Sequence, residues 1–131
     1  MYEIIKKEAL ADNIFLMDVV APWVARACLP GQFVIVRIDE EGERIPLTIC
    51  DYDREKGSIT IVVQSIGAST ERMDSLGVGD CFVDFVGPLG RPSELCMEEN
   101  LEETKKKNIV FIAGGLGTAP VYPQVKWLHE H

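Results

Sequence analysis

The stretch QFVIVRIDEEGERIPLTICDYDREKGSITIVVQ, residues 32–64, decides the fold class. It contains three runs rich in β-branched and aromatic residues, and acidic or glycine-containing turns separate them, as between antiparallel strands. Two similar runs precede it at residues 2–9 and 13–20, and DCFVDFV follows at residues 80–86. Six short strands at this spacing predict a mainly β protein, and we expect a six-stranded antiparallel β-barrel.

The composition excludes several classes of protein. The formal net charge is −8 over 131 residues, and the lysines at 105–107 lie beside an acidic run, so we expect no nucleic-acid partner. No apolar run approaches the roughly 20 residues of a membrane helix and no signal peptide is visible, which predicts a soluble, cytoplasmic protein. The four cysteines lack the close spacing of zinc or iron–sulfur ligands, so we expect no metal site.

The motif RIPLTI, Arg44–Ile49, places a hydroxyl inside an apolar strand. Thr48 could hydrogen-bond a ring nitrogen of a flavin, and Arg44 could offer a forked cationic donor to a pyrophosphate. A threonine beside a proline is also common at the edge of a sheet. The motif alone therefore leaves a purely structural role open.

One segment does not alternate as the strands do. Residues 68–76 (ASTERMDSL) begin with Ser and Thr and carry an acidic residue soon after, which favours a short helix. The N–H groups and partial positive charge at a helix start suit a phosphate, and a preceding glycine lets a ligand approach closely. Gly67, Ala68, Ser69 and Thr70 are therefore either a phosphate site or an ordinary helix cap.

The pattern changes near residue 108. Asn108–Ala113 (NIVFIA) is a fully apolar run, typical of a parallel strand covered on both faces. A glycine turn follows, and then Val121, Val125 and Leu128 occur at helical spacing. Strand, glycine turn and helix are the opening of a nucleotide-binding α/β domain.

An α/β sheet needs several more strands than one. We therefore expect residues 1–100 to form the barrel, and residues 101–131 a linker and the start of a truncated second domain. An apolar strand with open edges pairs readily with another chain, so residues 108–131 should either form a dimer contact or be poorly ordered. The glycine turn itself suits close approach of a dinucleotide. Its residues are Gly114, Gly115, Gly117, Thr118, Ala119 and Pro120.

Taken in order, RxPLTI, GxxT at a helix start, DFVGPLG and a strand followed by GGxGTAP resemble the ferredoxin–NADP reductase superfamily. Residues 43–51 (ERIPLTICD) and 83–93 (VDFVGPLGRPS) are most similar to one branch, the small flavin subunit of NADH-dependent reduced ferredoxin:NADP oxidoreductase, also described as sulfide dehydrogenase. A sister branch is the electron-transfer subunit of dihydroorotate dehydrogenase. The resemblance covers essentially the whole chain.

This resemblance implies a barrel that binds FAD, with NAD(P)H as the hydride donor. Thr48 would face the reactive edge of the isoalloxazine ring, and Arg44 would contact the ribityl or pyrophosphate region. Gly67–Thr70 would hold the pyrophosphate, and the GGxGTAP turn would belong to the nicotinamide-nucleotide site. The other implied contacts with the ring are the side chains of Pro46, Leu47 and Ile49 and the backbone of Val62, Val63 and Gln64. The 2Fe–2S cluster of this branch would lie near the C-terminus, beyond residue 131.

The chain departs from the superfamily pattern at three places. Ile45 and Leu47 stand where the wider superfamily has an arginine and an aromatic residue, so Arg44 is displaced by one position. One flavin face should then be covered by aliphatic groups. Ala68 stands where relatives often have a lysine, which removes one possible phosphate contact.

These features predict FAD-dependent electron transfer between a nicotinamide nucleotide and an iron–sulfur or ferredoxin partner. We expect a larger flavin and iron–sulfur subunit as the partner, and we do not expect this part of the protein to be competent alone. Two alternatives stay open: service to a dihydroorotate dehydrogenase, and a non-catalytic barrel that binds other proteins without a cofactor. Since a flavin carries its own chemistry, we name no catalytic side chain.

Overall fold

The computed structural model describes residues 2–114 and 117–131. Within them the strands are β1 (Tyr2–Ala11), β2 (Ile14–Val20), β3 (Phe33–Arg37), β4 (Ile45–Asp53), β5 (Ser58–Gln64), β6 (Cys81–Phe82) and β7 (Asp84–Leu89). The helices are α1 (Pro22–Ala27), α2 (Ala68–Asp74), α3 (Leu101–Lys105) and α4 (Thr118–Glu130). Two 3₁₀ turns, Glu94–Cys96 and Glu98–Asn100, connect β7 to α3.

The strands form one antiparallel sheet that curls into a nearly closed barrel. Their order is β6-β1-β2-β5-β4-β3-β7. The first and last members of this order, β6 and β7, are consecutive in the chain and are separated only at Val83. One run of sequence therefore pairs with β1 through its first half and with β3 through its second half. This bent strand makes the barrel six-stranded in effect, and the predicted fold class is confirmed.

Every second side chain along the strands points into the barrel, and these side chains form its core. Phe15, Met17 and Val19 of β2 and the opposed residues of β5 face inward and are at most 2% exposed. Residues between them face outward and are only partly covered. Full burial of a side chain of this size contributes roughly 1.5–3 kcal/mol, so the inward set accounts for most of the stability of the barrel.

A short helix that the sequence did not indicate closes over this core. Helix α1 begins with Pro22 at its first turn and buries Val24 and Ala25 in the same cluster as the barrel residues. The Arg54 guanidinium donates hydrogen bonds to the carbonyls of Ala25, Arg26 and Cys28 at 2.6–3.0 Å. These bonds satisfy carbonyl groups that a helix end leaves unpaired.

The predicted strand over Asn108–Ala113 is not formed. The segment follows α3 without regular structure, and Val110 and Ile112 are 82% and 92% exposed. A strand exists only through hydrogen bonds to a neighbouring strand, and none of the described strands pairs with this segment.

The predicted helix after the glycine turn is present as α4, but it packs through an unexpected face. Ala119, Pro123 and Trp127 are its buried residues, spaced four apart. The residues singled out in the sequence, Val121, Val125 and Leu128, all remain partly exposed, Val125 by 41%. Helix α4 packs against β4, so its N-terminus lies near the outer surface of the barrel.

The described residues contain neither a helix suited to cross a membrane nor a cluster suited to bind a metal ion. None of the helices there has both the length and the apolar character needed to cross a membrane. No group of three or more His, Cys, Asp or Glu side chains in the same residues is arranged to hold a metal ion.

Candidate functional site

The outer face of β4 and β5 carries most of the predicted flavin contacts. Pro46 and Thr48 point outward from β4, and Val62 and Gln64 point outward from β5, because their neighbours in sequence face the core. The two strands are adjacent and antiparallel, with Ile49 opposite Ile61. We call the four outward residues the outer strip. None of their side chains hydrogen-bonds another described residue, so the Thr48 hydroxyl is available to a ligand.

Three other predicted ring contacts lie on the inner side of these strands. Ile49 is fully buried, Val63 is 2% exposed, and Leu47 packs against the core cluster. Their side chains hold the barrel together. Only the backbone atoms of Ile49 and Val63 are available to a molecule on the outer face.

The start of α2 lies at the end of the outer strip. Gly67 follows Val62 by five residues, which places the two at most about 18 Å apart. The Thr70 hydroxyl accepts hydrogen bonds from the backbone N–H groups of Ile66 and Gly67 at 2.9 and 3.0 Å. Thr70 therefore satisfies backbone groups at the start of its own helix, as in one half of a capping box, while Gly67 has no side chain to cap the first turn.

Donors nonetheless remain at this cap. The backbone N–H groups of Ala68, Ser69 and Thr70 have no acceptor among the described residues, and neither does the Ser69 hydroxyl. Gly67 has an extended backbone with φ −154°, and a Cβ placed there would meet nothing within 4 Å. The fold itself therefore does not require glycine at this position, whereas a ligand approaching these donors closely would.

Arg44 is held only loosely. Its Nη1 lies 3.4 Å from Asp84 Oδ2, and the same oxygen accepts a shorter hydrogen bond of 2.7 Å from Arg37 Nε. The Arg44 side chain is 59% exposed. Because Arg37 already compensates Asp84, Arg44 is a largely exposed cation just before β4 that could turn toward an anionic ligand.

A cavity of about 480 Å³ adjoins the outer strip. The outward faces of β1, β2, β4 and β5 form its floor, and the first turn of α4 covers it. Val62 belongs to both the strip and the cavity, which also includes Thr118 and Ala119 of the glycine-turn motif. The structure thus brings residues from the predicted flavin set and the predicted nucleotide set to one place. The residues lining it are Lys6, Leu10, Ala11, Ile14, Leu16, Asp18, Cys50, Asp51, Thr60, Val62, Thr118, Ala119 and Tyr122.

Several lining residues were not identified from the sequence. Leu16 and Asp18 lie opposite Val62 and Thr60 across the β2–β5 pair, and Asp18 accepts a hydrogen bond of 2.5 Å from the Thr60 hydroxyl. Cys50 lies at the edge of the cavity, where burial, and then the nearby Asp51 and Asp18 carboxylates, raise the pKa of its thiol to about 11. The alternating pattern of β2 could have indicated them. It places the apolar residues Ile14 and Leu16 on the outward face, and apolar residues there are expected to be covered by another element.

The glycine turn leads directly into α4. Gly117 donates its N–H to the Gly114 carbonyl at 3.2 Å, and a Cβ at either glycine would meet nothing within 4 Å. Pro120 lies in the first turn of α4 and is partly buried. Gly115 lies outside the described residues. As at Gly67, the fold would tolerate a side chain at Gly114 and at Gly117, so neighbouring residues do not explain the glycine at either position.

Together these features suit a long, partly planar, anionic cofactor. The outer strip and cavity offer apolar surface with one free hydroxyl, and the α2 cap offers unpaired N–H donors for a phosphate. Arg44 adds a largely exposed cation. The residues present therefore fit the FAD that the sequence suggested, with the ring at the strip and the pyrophosphate at α2.

Comparison with other proteins supports a relationship along the whole chain. An uncharacterized protein from the adh 3′ region of Clostridium beijerinckii is 59% identical over 131 residues, which is 100% of this chain and 44% of that protein. A homolog of the dihydroorotate dehydrogenase B (NAD(+)) electron transfer subunit from Thermotoga maritima is 41% identical over 128 residues, covering 98% of this chain and 43% of the relative. The chain thus spans less than half the length of these curated relatives. No family model matches it.

Solved structures show the same fold. A chain from the structure of NADH-dependent reduced ferredoxin-NADP oxidoreductase, a study of flavin-based electron bifurcation, superposes with a TM-score of 0.71 at 42% identity, covering 72% of this chain and 36% of that one. A mutant ferredoxin-NADP+ reductase from Plasmodium falciparum matches 98% of this chain and 52% of its own, with a TM-score of 0.74 at 16% identity. The chain is therefore related to the electron transfer subunits of dihydroorotate dehydrogenase B and to the NADH-dependent ferredoxin-NADP oxidoreductase, and it has the barrel fold of the ferredoxin–NADP reductases.

Proposed function

We propose that this chain is the FAD-binding part of an electron-transfer flavoprotein that passes electrons between a nicotinamide nucleotide and an iron–sulfur or ferredoxin partner. The observation that carries the proposal is the outer strip, which ends at one side in the α2 cap and at the other in the cavity under α4. The relationship to an NADH-dependent ferredoxin-NADP oxidoreductase supports it. When bound, the flavin would supply the redox chemistry.

The residues of the barrel would bind and orient the cofactor. The Thr48 hydroxyl can donate or accept a hydrogen bond at the edge of the ring, while Pro46 and Val62 supply apolar contact. The N–H groups of Ala68 and Ser69 would hold the pyrophosphate. The side chains of Leu47, Ile49 and Val63 would contribute indirectly. They pack in the core and so hold in place the strands that carry the contact residues.

The glycine turn and α4 would contribute to the nicotinamide side. Thr118 and Ala119 cover the cavity beside Val62, so a nucleotide bound at the turn would approach the ring from the side opposite the barrel. We propose that residues 1–100 are the cofactor-binding unit and that residues 101–131 begin the nucleotide-binding one. A larger flavin and iron–sulfur subunit is the proposed partner.

A second proposal concerns the physiological setting. The 41% identity to a homolog of the dihydroorotate dehydrogenase B electron transfer subunit favours a role as the partner of such a dehydrogenase. Reconstitution with each candidate partner separates the two settings. Transfer of electrons from NADH to a ferredoxin supports the first, and transfer from dihydroorotate supports the second.

Titration of the flavin-free chain with FAD tests the cofactor proposal. We expect one FAD per chain, and we expect Thr48→Val to shift the visible spectrum of the bound flavin because a hydrogen bond to the ring is lost. Thr104→Val is a suitable control, since the Thr104 hydroxyl in α3 donates a hydrogen bond only to the carbonyl of Asn100, in the 3₁₀ turn before that helix. If the chain is folded but does not bind FAD, the result would instead support a barrel that binds other proteins without a cofactor.

A further inference from the structure

One ion pair and one buried helix face dock α4 onto the barrel. Lys126 Nζ donates a hydrogen bond of 2.8 Å to Asp51 Oδ1, and both side chains are partly covered. The hydrogen bond that Lys126 donates to Asp51 raises the pKa of Lys126, which keeps the amine charged. Trp127, the next residue, is 6% exposed and lies between the barrel and the 3₁₀ turns.

The two partners of this ion pair belong to the two halves of the proposed site. Asp51 follows Thr48 by three residues on β4, and it lines the cavity. Lys126 lies in the helix whose first turn, at Thr118 and Ala119, covers the same cavity. The pair therefore links the strand that lines the cavity to the helix that covers it.

We propose that Asp51 and Lys126 are positioning residues, whose ion pair holds the N-terminus of α4 against the cavity beside the flavin ring. This inference rests on the proposed function. A helix of 13 residues is marginally stable on its own in water, so α4 depends on its contacts with the barrel. Its N-terminus carries a partial positive charge, which would favour negative charge on a flavin bound at the outer strip.

Hydrogen exchange of the flavin-free chain tests the docking. Asp51→Asn and Lys126→Gln should each speed amide exchange in α4 by roughly 2- to 5-fold, the effect of losing one partly exposed ion pair. The double variant should exchange no faster than either single variant, because Asp51→Asn keeps an Oδ1 acceptor for the Tyr52 N–H and both single variants lose the same ion pair. The peptide from β5 should be unchanged. Lys106→Gln, which breaks the exposed pair of Lys106 with Glu103, is the matched control.

The midpoint potential of the FAD-loaded chain tests the consequence. Both single variants should lower the potential, because each loosens the helix N-terminus. If the two residues acted as plain charges near the ring, Asp51→Asn would raise the potential and Lys126→Gln would lower it. Opposite shifts, or unchanged exchange of α4 in both single variants, would overturn the inference.

Failure of the proposed function is recognised separately. In that case the unmodified chain takes up no flavin, whatever the variants do. The part of the inference that concerns the flavin then fails with it. The exchange experiment still decides whether the Asp51–Lys126 pair holds α4, since it needs no cofactor.

Discussion

Replacing Thr70 with valine should weaken both the fold and FAD binding by a modest and calculable amount. The Thr70 hydroxyl accepts the N–H groups of Ile66 and Gly67 and donates to the Gly67 carbonyl. Valine has the same shape but cannot make these bonds. Both N–H groups are exposed, so water replaces the hydroxyl and the loss of each of these two bonds costs about 0.5 kcal/mol, at the low end of the usual range. The Gly67 carbonyl keeps its bond from the Glu71 N–H, so the third bond adds little. The expected decrease in the free energy of unfolding is therefore about 1 kcal/mol.

The effect on FAD follows from the same bonds. They orient the turn that presents the N–H groups of Ala68 and Ser69, and a loosened turn must be ordered again when a phosphate binds. A loss of about 1 kcal/mol corresponds to roughly fivefold weaker FAD binding. Urea unfolding gives the stability, and the quenching of flavin fluorescence gives the affinity.

Three control variants make this result decisive. Thr70→Ser keeps the hydroxyl and should retain both properties. Ser69→Ala should weaken FAD without affecting stability, because the Ser69 hydroxyl makes no bond within the described chain. Ser75→Ala, at the other end of α2, removes a bond to the Arg72 carbonyl and should leave FAD binding intact. A folded Thr70→Val protein with unchanged FAD affinity would show that the start of α2 is only a helix cap.

Three further outcomes are expected. FAD should bind at least about tenfold more tightly than FMN in a fluorescence titration, because the α2 cap is suited to a pyrophosphate; equal or tighter binding of FMN would contradict this. Burial raises the pKa of the Cys28 and Cys50 thiols to about 11, so mass spectrometry should find them alkylated by iodoacetamide about tenfold more slowly than the partly exposed Cys81 at pH 8. A hydrogen bond from Arg72 lowers the pKa of Asp39, so this carboxylate stabilises the fold at neutral pH and that contribution is lost as the pH falls through its lowered pKa. Arg72→Gln should return the pKa toward its usual value in an NMR titration, and an unchanged pKa would refute the assignment.

The barrel strands could be predicted because each is specified by its own residues. The run Ser58–Gln64 has the same bounds in the structure as in the sequence, since Lys56-Gly57 ends the preceding turn and alternation continues to Gln64. The outward direction of Thr48 follows from the same rule. Six strands with one buried face each have few ways to close, and this is why the fold class followed from the local pattern.

The elements that were missed depend on contacts distant in sequence. Helix α1 has six residues, fewer than two turns, so no periodicity could reveal it. The cavity forms where β2 and β5 meet the start of α4, more than 50 residues later in the chain. The face by which α4 docks was also hidden, because Trp127 and Lys126 find their partners only in the folded barrel.

The segment Asn108–Ala113 shows why an apolar run alone cannot specify a strand. Its side chains have the composition of a buried strand, yet Val110 and Ile112 are almost fully exposed and no described strand pairs with it. The hydrogen bonds of a strand belong to a pair, so composition gives only a tendency that a neighbour must complete. Helix α4 differs because a helix makes its backbone bonds internally and needs only a surface for its apolar face. In this chain the barrel supplies such a surface at β4, and α4 therefore forms where the strand preceding it does not.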